Sequence, residues 1–503
     1  MEMDRFRHDL GRLAPGARAA IERRPAVWID GAWVETAASL PVVDPSSGET
    51  VGAIAAGGAA EVDAAVAAAR RALVSAEWAG MGPLSRERLL VRLAQLIEEH
   101  AEVLAQVESV DNGMARWFAF GPGIMDAAAI YRYYAGWPSK IVGETMPVEG
   151  PPGAGTFTGF TRRGPVGVIG AVIPWNVPFM MAAWKLGPAL AAGCTVVLKP
   201  AEDTSLSALL LAELIEQAGF PRGVVNIVTG RGAEAGEALV SHPGVDKISF
   251  TGSTATGRRI GEIAGRKLKK HTLELGGKSP VLLFDDADLD AAVPGAAGSI
   301  FLNSGQICVA GSRLYVQSGV YDEVMERLAV HVGSIAVGAG LAEGTFMGPL
   351  VNAAQKARVT DFITGARAAG CEIVTGQEVP ADLGCFVSPT IVAGAADDDR
   401  ITREEVFGPV LSVYRFDSEE EALSRANASE YGLSSTIWSR DIGRVLRVSD
   451  ALQAGKVIVN NAGFPYPGLP EGGWKASGHG KDLGRDALEG CLSTKTVLMR
   501  IGD

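Results

Sequence analysis

Four short apolar runs, GVIGAVIP, CTVVLKP, VVNIVTG and KISFTGS, follow one another between residues 167 and 253 and alternate with helical stretches such as 178–192 and 205–218. No other feature constrains the fold as much. Parallel strands cannot be joined by tight turns, so β-branched runs that each return through a helix build a parallel sheet with helices on both faces. That is the doubly wound architecture that binds dinucleotides at its carboxyl edge. After Leu273 the alternation starts again, with SPVLLF, a helix over 289–303, SRLYV, helices over 321–331 and 353–369, and then PVLSVYRF, TIWS and GKVIVNN. A second α/β unit is therefore expected.

Before the first unit, WIDGAWV and VVDPSSGETVGAI read as two strand pairs around Asp30-Gly31 and a Pro-Ser-Ser-Gly turn. The stretches 61–75 and 85–109 read as long amphipathic helices, and 124–137 as another with Tyr131 and Tyr134 on one face. Residues 1–25 read as a polar, partly helical extension packed on the surface. From 140 to 161 the helical pattern fails as Gly and Pro accumulate, which marks an excursion from the domain. A last strand, TKTVLMRI, is expected to join it.

The chemistry-bearing stretch is FLNSGQIC, residues 301–308, which sets one thiol just after a turn of small residues. A thiol attacks as thiolate and needs a partly exposed, electropositive setting, such as free N–H groups of the Asn303-Ser304-Gly305 turn. Two further stretches complete a mechanism. Asn176 in Pro174-Trp175-Asn176 is an amide donor for an oxyanion, and Glu274 in ELGGKSP is a carboxylate able to activate water.

With these residues together, the sequence resembles the NAD(P)-dependent aldehyde dehydrogenase superfamily, of the hydrolytic type. The resemblance rests on PWN, LKPAE at 198–202, FTGST at 250–254, ELGGKSP, GQIC, EEVFGP at 404–409 and GGWKASGHGKDLG at 472–484, in that order, and runs from about Trp28 onward. It implies a doubly wound cofactor domain over 1–137 and 162–272, a catalytic α/β domain over 273–470, and a β oligomerisation arm over 138–161 and 484–503. It implies Cys308 as nucleophile, Glu274 as base and Asn176 as oxyanion donor. NAD is the implied cofactor, with Trp175, Lys199, Glu202, Gly232, Gly252, Ser253, Glu405 and Phe407 around it. The G-x-G spacing of Gly230, Gly232 and Gly236 is a weaker pointer to the same site.

The resemblance also lines the aldehyde tunnel with Val177, Met181, Trp184, Leu302, Ile307, Val309 and Phe464. Apolar residues dominate, which favours a hydrophobic or aromatic aldehyde. Glu471 is expected to place a negative charge near the mouth, and an aminoaldehyde stays open on that account. A CoA-acylating semialdehyde dehydrogenase and a non-catalytic binding protein of the same fold stay open as well. Lys185 has a family counterpart linked to proton relay, and Asp482 stands where the family commonly has Glu.

Net charge of −12 with no long basic run argues against nucleic acid, and no apolar run reaches the length of a membrane span. Five widely spaced cysteines, Cys194, Cys308, Cys371, Cys385 and Cys491, form no CxxC pair, so neither a disulfide framework nor a metal site is expected. Reduced thiols and a first segment without an apolar stretch point to the cytoplasm. A homodimer or homotetramer is expected from the arm.

Overall fold

A computed structural model describes residues 3–463 and 465–501. The core of its first sheet is five parallel strands in the spatial order Val225–Ile227, Thr195–Lys199, Val168–Val172, Lys247–Thr251 and Lys270–Glu274. In chain order this is 3-2-1-4-5, so the winding reverses direction between Val168–Val172 and Lys247–Thr251. The crevice beyond the carboxyl ends of those two strands is where such a sheet holds its ligand. The hairpin Ala26–Ile29 and Ala32–Glu35 adds one antiparallel edge, through Trp28 opposite Ile227. The other edge is Gly478–His479, antiparallel to Lys270–Glu274. That short strand lies within the Gly-rich motif at 472–484, and two residues carry no periodicity to reveal it.

The second sheet runs Glu372–Thr375, Thr390–Ala393, Val410–Phe416, Arg313–Gln317, Pro280–Leu283, Ser434–Trp438 and Lys456–Val459. All of its pairings are parallel except that of Glu372–Thr375. The third sheet joins Leu492–Ile501 to Thr156–Pro165 over ten residue pairs, with Thr145–Val148 on the far side. Leu498, Met499 and Ile501 remain exposed on this arm.

The helix Pro178–Ala192 explains how the first sheet positions side chains. Proline stands in its first turn, where an N–H would have no intrahelical partner, and Gly193 closes it at φ 89°. Every residue between is buried, as suits a helix that is apolar all round except at Lys185. Tyr131 and Tyr134 pack in the same core, and the Tyr134 hydroxyl donates to the Gly484 carbonyl at 3.0 Å.

Two sequence expectations change. The single helix over 85–109 is two, Pro83–Glu99 and Ala101–Asp111, because His100 leaves helical geometry at φ −106°, ψ 11°. Its ring is turned back against Leu96 O at 2.9 Å. The first residues are also more than a surface extension. Ala17, Ala20 and Ile21 are buried in the first core, while Phe6 packs edge-on against Phe386 in the second, their ring centroids 5.0 Å apart. Burying such a ring contributes about 1.5–3 kcal/mol, so this segment ties the two units together.

Candidate active site

A cavity of about 610 Å³ is bounded by residues just beyond the carboxyl ends of the first sheet and just ahead of strands in the second. Trp175 and Asn176 come from the first group, after Val168–Val172, with Gly252 and Ser253 after Lys247–Thr251. Cys308 precedes Arg313–Gln317, and Glu405 and Phe407 precede Val410–Phe416. A larger surface groove of about 1350 Å³, lined among others by Arg7, Trp117 and Phe346, contains no cysteine.

Cys308 is half-buried, and it is the one cysteine of the cavity wall; the other four are buried elsewhere. The turn before it has three successive left-handed residues, Asn303 at φ 47°, Ser304 at φ 56° and Gly305 at φ 71°. Glycine is required at the third, because a Cβ there would lie 2.0 Å from Gly408 O. Ser304 in that region costs on the order of 1–3 kcal/mol, and its hydroxyl is pinned to Gly348 O at 2.7 Å.

The expected electropositive setting is not what surrounds the sulfur. Burial pushes the Cys308 thiol up to about 12, and the charges of Glu274, Glu405 and Glu471 push in the same direction. Only the Val309 N–H opposes them among the causes that shift it. The Asn303-Ser304-Gly305 turn therefore acts through its shape, by presenting the thiol, rather than through its charge.

The Asn176 amide donates to Gln306 O at 2.9 Å, which aims the side chain at the cysteine turn and leaves its second N–H unused. Its loop is held from behind by contacts that sequence reasoning missed. Asn303 Nδ2 donates to Asn176 O at 2.8 Å, Asn112 Nδ2 to Trp175 O at 2.5 Å, and the Phe179 N–H to Glu108 Oε1 at 2.8 Å. Complete burial raises Glu108 to about 7 and holds Asp111 well above the usual carboxylate range. A signal was present in the sequence, since Glu108, Asp111 and Asn112 interrupt an otherwise apolar helix end.

Glu274 ends the strand Lys270–Glu274 and lies behind the cavity wall rather than in it. Its Oε1 has no hydrogen-bond partner among the described residues. Gly472 passes so close that a Cβ there would come within 2.6 Å of that oxygen. Burial first, then the charge of Asp482, raises the Glu274 carboxyl well above its ordinary range, with Lys185 opposing. Lys185 and Asp482 are themselves a buried ion pair. The shorter acid thus reaches the lysine without difficulty.

The residues assigned to the cofactor fall into two groups. Gly252, Ser253, Trp175, Glu405 and Phe407 line the cavity, where Trp175 and Phe407 meet edge to face at 5.2 Å. Glu405 Oε1 accepts from Gly277 N at 2.9 Å, and burial raises the carboxyl to about 7. Ser253 caps the helix Thr254–Lys267 by accepting from Thr256 N. The N–H groups of Thr254 and Ala255, on the cavity wall, have no partner within the helix, and a helix start of this kind suits an anion. Lys199, Glu202 and Gly232 form the second group outside that wall. Glu202 accepts from Lys199 Nζ at 3.2 Å and from Gly232 N at 3.3 Å. Phosphate-ready N–H groups together with carboxylates for sugar hydroxyls fit a dinucleotide such as NAD.

Val177, Met181, Trp184, Leu302, Ile307 and Val309 all line the cavity, joined by Phe118 and Met180, which sequence reasoning did not include. Phe464 lies outside the described residues. Glu471 is not a free charge near the mouth. It is 4% exposed and forms an ion pair with Lys456, because the bridge between Glu471 and Asp482 turns it inward.

The aldehyde dehydrogenase family profile matches residues 33–497. Phenylacetaldehyde dehydrogenase of Pseudomonas fluorescens is 45% identical over 476 residues, covering 94% of this chain and 95% of that protein. Human retinal dehydrogenase 2 is 42% identical over 479 residues, covering 94% and 92%. Among solved structures, the NAD+ complex of aldehyde dehydrogenase from Bacillus cereus superposes with a TM-score of 0.95 at 42% identity, covering 98% of this chain and 99% of the other. Similarity of this extent, over both sheets and the cavity between them, makes the chain a member of the aldehyde dehydrogenase family.

Proposed function

We propose that the protein oxidises a hydrophobic, aromatic aldehyde to its carboxylic acid with NAD+, and that Cys308 carries the substrate. The observation that carries this reading is a cysteine on the wall of an apolar cavity, with Asn176 held beside its turn. Bound NAD+ supplies the hydride acceptor. Gly252, Ser253, Glu405 and Phe407 would hold its nicotinamide half, and Lys199, Glu202 and Gly232 its adenosine half.

The Cys308 sulfur adds to the carbonyl carbon, and the second Asn176 N–H with the Cys308 backbone N–H receives the oxyanion. Re-forming the carbonyl breaks the former aldehyde C–H bond, expels its hydrogen as the hydride that bound NAD+ would accept, and leaves a thioester on Cys308. Glu274, after turning from behind the wall or acting through one water, takes a proton from the water that hydrolyses it. The Lys185–Asp482 pair beside Glu274 gives that proton a polar route onward.

The similarity to a phenylacetaldehyde dehydrogenase supports an aromatic substrate. An aminoaldehyde finds less support, because the charge of Glu471 is already met by Lys456. The test is an aldehyde panel followed by NADH absorbance, with and without CoA. Turnover of phenylacetaldehyde without CoA is expected, and a strict CoA requirement would overturn the hydrolytic reading.

NAD+ is expected to be preferred to NADP+. Glu202 stays ionised, since Lys199 and Gly232 hold its carboxyl below the usual range despite burial. A 2′-phosphate beside it would cost roughly 1–4 kcal/mol, about 5- to 1,000-fold in kcat/KM. Comparison of both cofactors in the parent and in Glu202→Gln checks this, and an unchanged ratio would remove Glu202 from the explanation.

The arm is proposed to pair with a second copy of the chain in a homodimer or homotetramer, because Leu498, Met499 and Ile501 leave apolar strand exposed. Light scattering should give a mass above that of one chain, and a monomer at micromolar concentration would refute it. No helix among the described residues is long and apolar enough to cross a membrane. The five cysteines are unpaired, in keeping with the reducing cytoplasm as the proposed location.

A further inference from the structure

Lys456 and Glu471, an ion pair on the wall of the apolar cavity, take no step in the chemistry described above, although the charge of Glu471 bears on the Cys308 thiol. Lys456 begins the strand Lys456–Val459, and Glu471 lies fifteen residues further on. Both face the same space as Met180, Trp184, Leu302 and Ile307. Their side chains are 16% and 5% exposed, so each has lost most of its water. A buried ion pair contributes little to stability compared with apolar residues of similar size. Its presence in this wall therefore calls for a role in recognition.

The pair is held rigidly. Glu471 N and O exchange hydrogen bonds of 2.7 Å with O and N of Asp482, which fixes the backbone under the carboxylate. Glu471 Oε1 accepts from Lys456 Nζ. The other oxygen, Oε2, accepts no hydrogen bond among the described residues, yet it is not sealed off as Glu274 Oε1 is. The cavity thus offers one fixed anionic acceptor whose countercharge is already in place.

We propose that the Lys456–Glu471 pair is a specificity element that selects aromatic aldehydes bearing a neutral hydroxyl group, which donates its hydrogen to Glu471 Oε2. The inference rests on the aromatic-aldehyde reading and names the substrate class within it. Charge decides among the candidate substituents. An ammonium group would meet Lys456 beside the acceptor it seeks, and a carboxylate would meet Glu471 on a wall where, among the described residues, Asp126, Glu404 and Glu405 outnumber the one further cation, Arg358. A hydroxyl brings no charge and satisfies an acceptor that an unsubstituted ring leaves bare. A site built to bond a substrate hydroxyl discriminates strongly against the analogue without it, because its own polar group then goes unpaired.

The experiment compares kcat/KM with NAD+ for phenylacetaldehyde, its three ring-hydroxylated isomers and a ring-carboxylated counterpart. Parent enzyme is set against Lys456→Met/Glu471→Leu, which replaces the pair by apolar groups of similar volume. In the parent, at least one hydroxylated isomer is expected to exceed phenylacetaldehyde by about 10- to 100-fold, and the carboxylated compound to be the poorest. In the double variant that advantage should shrink to about twofold or less, mainly through KM. A preference that survives in the folded double variant, or its absence from the parent, overturns the inference while leaving the aromatic reading standing. Failure of the parent to form NADH from any of the set overturns both. If circular dichroism shows the double variant unfolded, Lys456→Met/Glu471→Met, which also removes both charges and the acceptor, is read in the same way.

Discussion

Cys308→Ala should lower NAD+-linked aldehyde oxidation by at least about 10⁴-fold while the protein stays folded. The size of the effect follows from geometry. Cys194, Cys371, Cys385 and Cys491 are buried away from the cavity, so no second thiol can replace the one removed. The fold should survive because the side chain is half-exposed and the preceding turn is anchored independently, by Ser304 on Gly348 and by Asn303 on Asn176. Steady-state NADH formation and a circular dichroism spectrum are the measurements. Near-parental turnover in a folded Ala variant would remove Cys308 from the mechanism.

Glu274→Gln should give a burst of NADH equal to the enzyme present, followed by a steady rate lower by about 10²- to 10⁴-fold. Hydride departure does not need the carboxylate, whereas hydrolysis of the thioester does. The electrostatics of the site favour the burst as well, because Glu274 is first among the charges that hold the Cys308 thiol up. Removing that charge eases formation of the thiolate. The pH profile gives an independent check. Burial and Asp482 raise the Glu274 carboxyl, and a base acts only when deprotonated, so hydrolysis in the parent should climb with pH through a range above the ordinary carboxylate value. The variant should lose that ascending limb. Stopped-flow absorbance across pH reads both effects, and a variant that turns over steadily at the parental rate would show that another group activates the water.

The alternation of apolar runs with helices was enough to foretell two parallel sheets, because period and chain reversal are local properties that each stretch carries in itself. Pro178–Ala192 was legible to the residue for the same reason, with proline opening it and glycine closing it. The thiol after its small-residue turn was equally plain. Gly305 has to be glycine under Gly408, and a turn of that kind leaves its mark in the sequence.

What lay beyond the sequence were the encounters between distant segments. Asn303 and Asn176 are 127 residues apart, and Lys185 and Asp482 are 297 apart. No periodicity spans such separations, and only the winding of the two sheets brings them together. The same holds for charge. From its neighbours, Cys308 invited an electropositive setting, and Glu471 a free charge near the tunnel mouth. The fold instead gathers Glu274, Glu405 and Glu471 around the sulfur and closes Lys456 over Glu471. The sequence by itself determined which groups are available for reaction and which local shapes present them. Tertiary structure alone decided which charges lose their water and what they then face, because desolvation depends on everything packed around a group and not on the residues beside it in the chain.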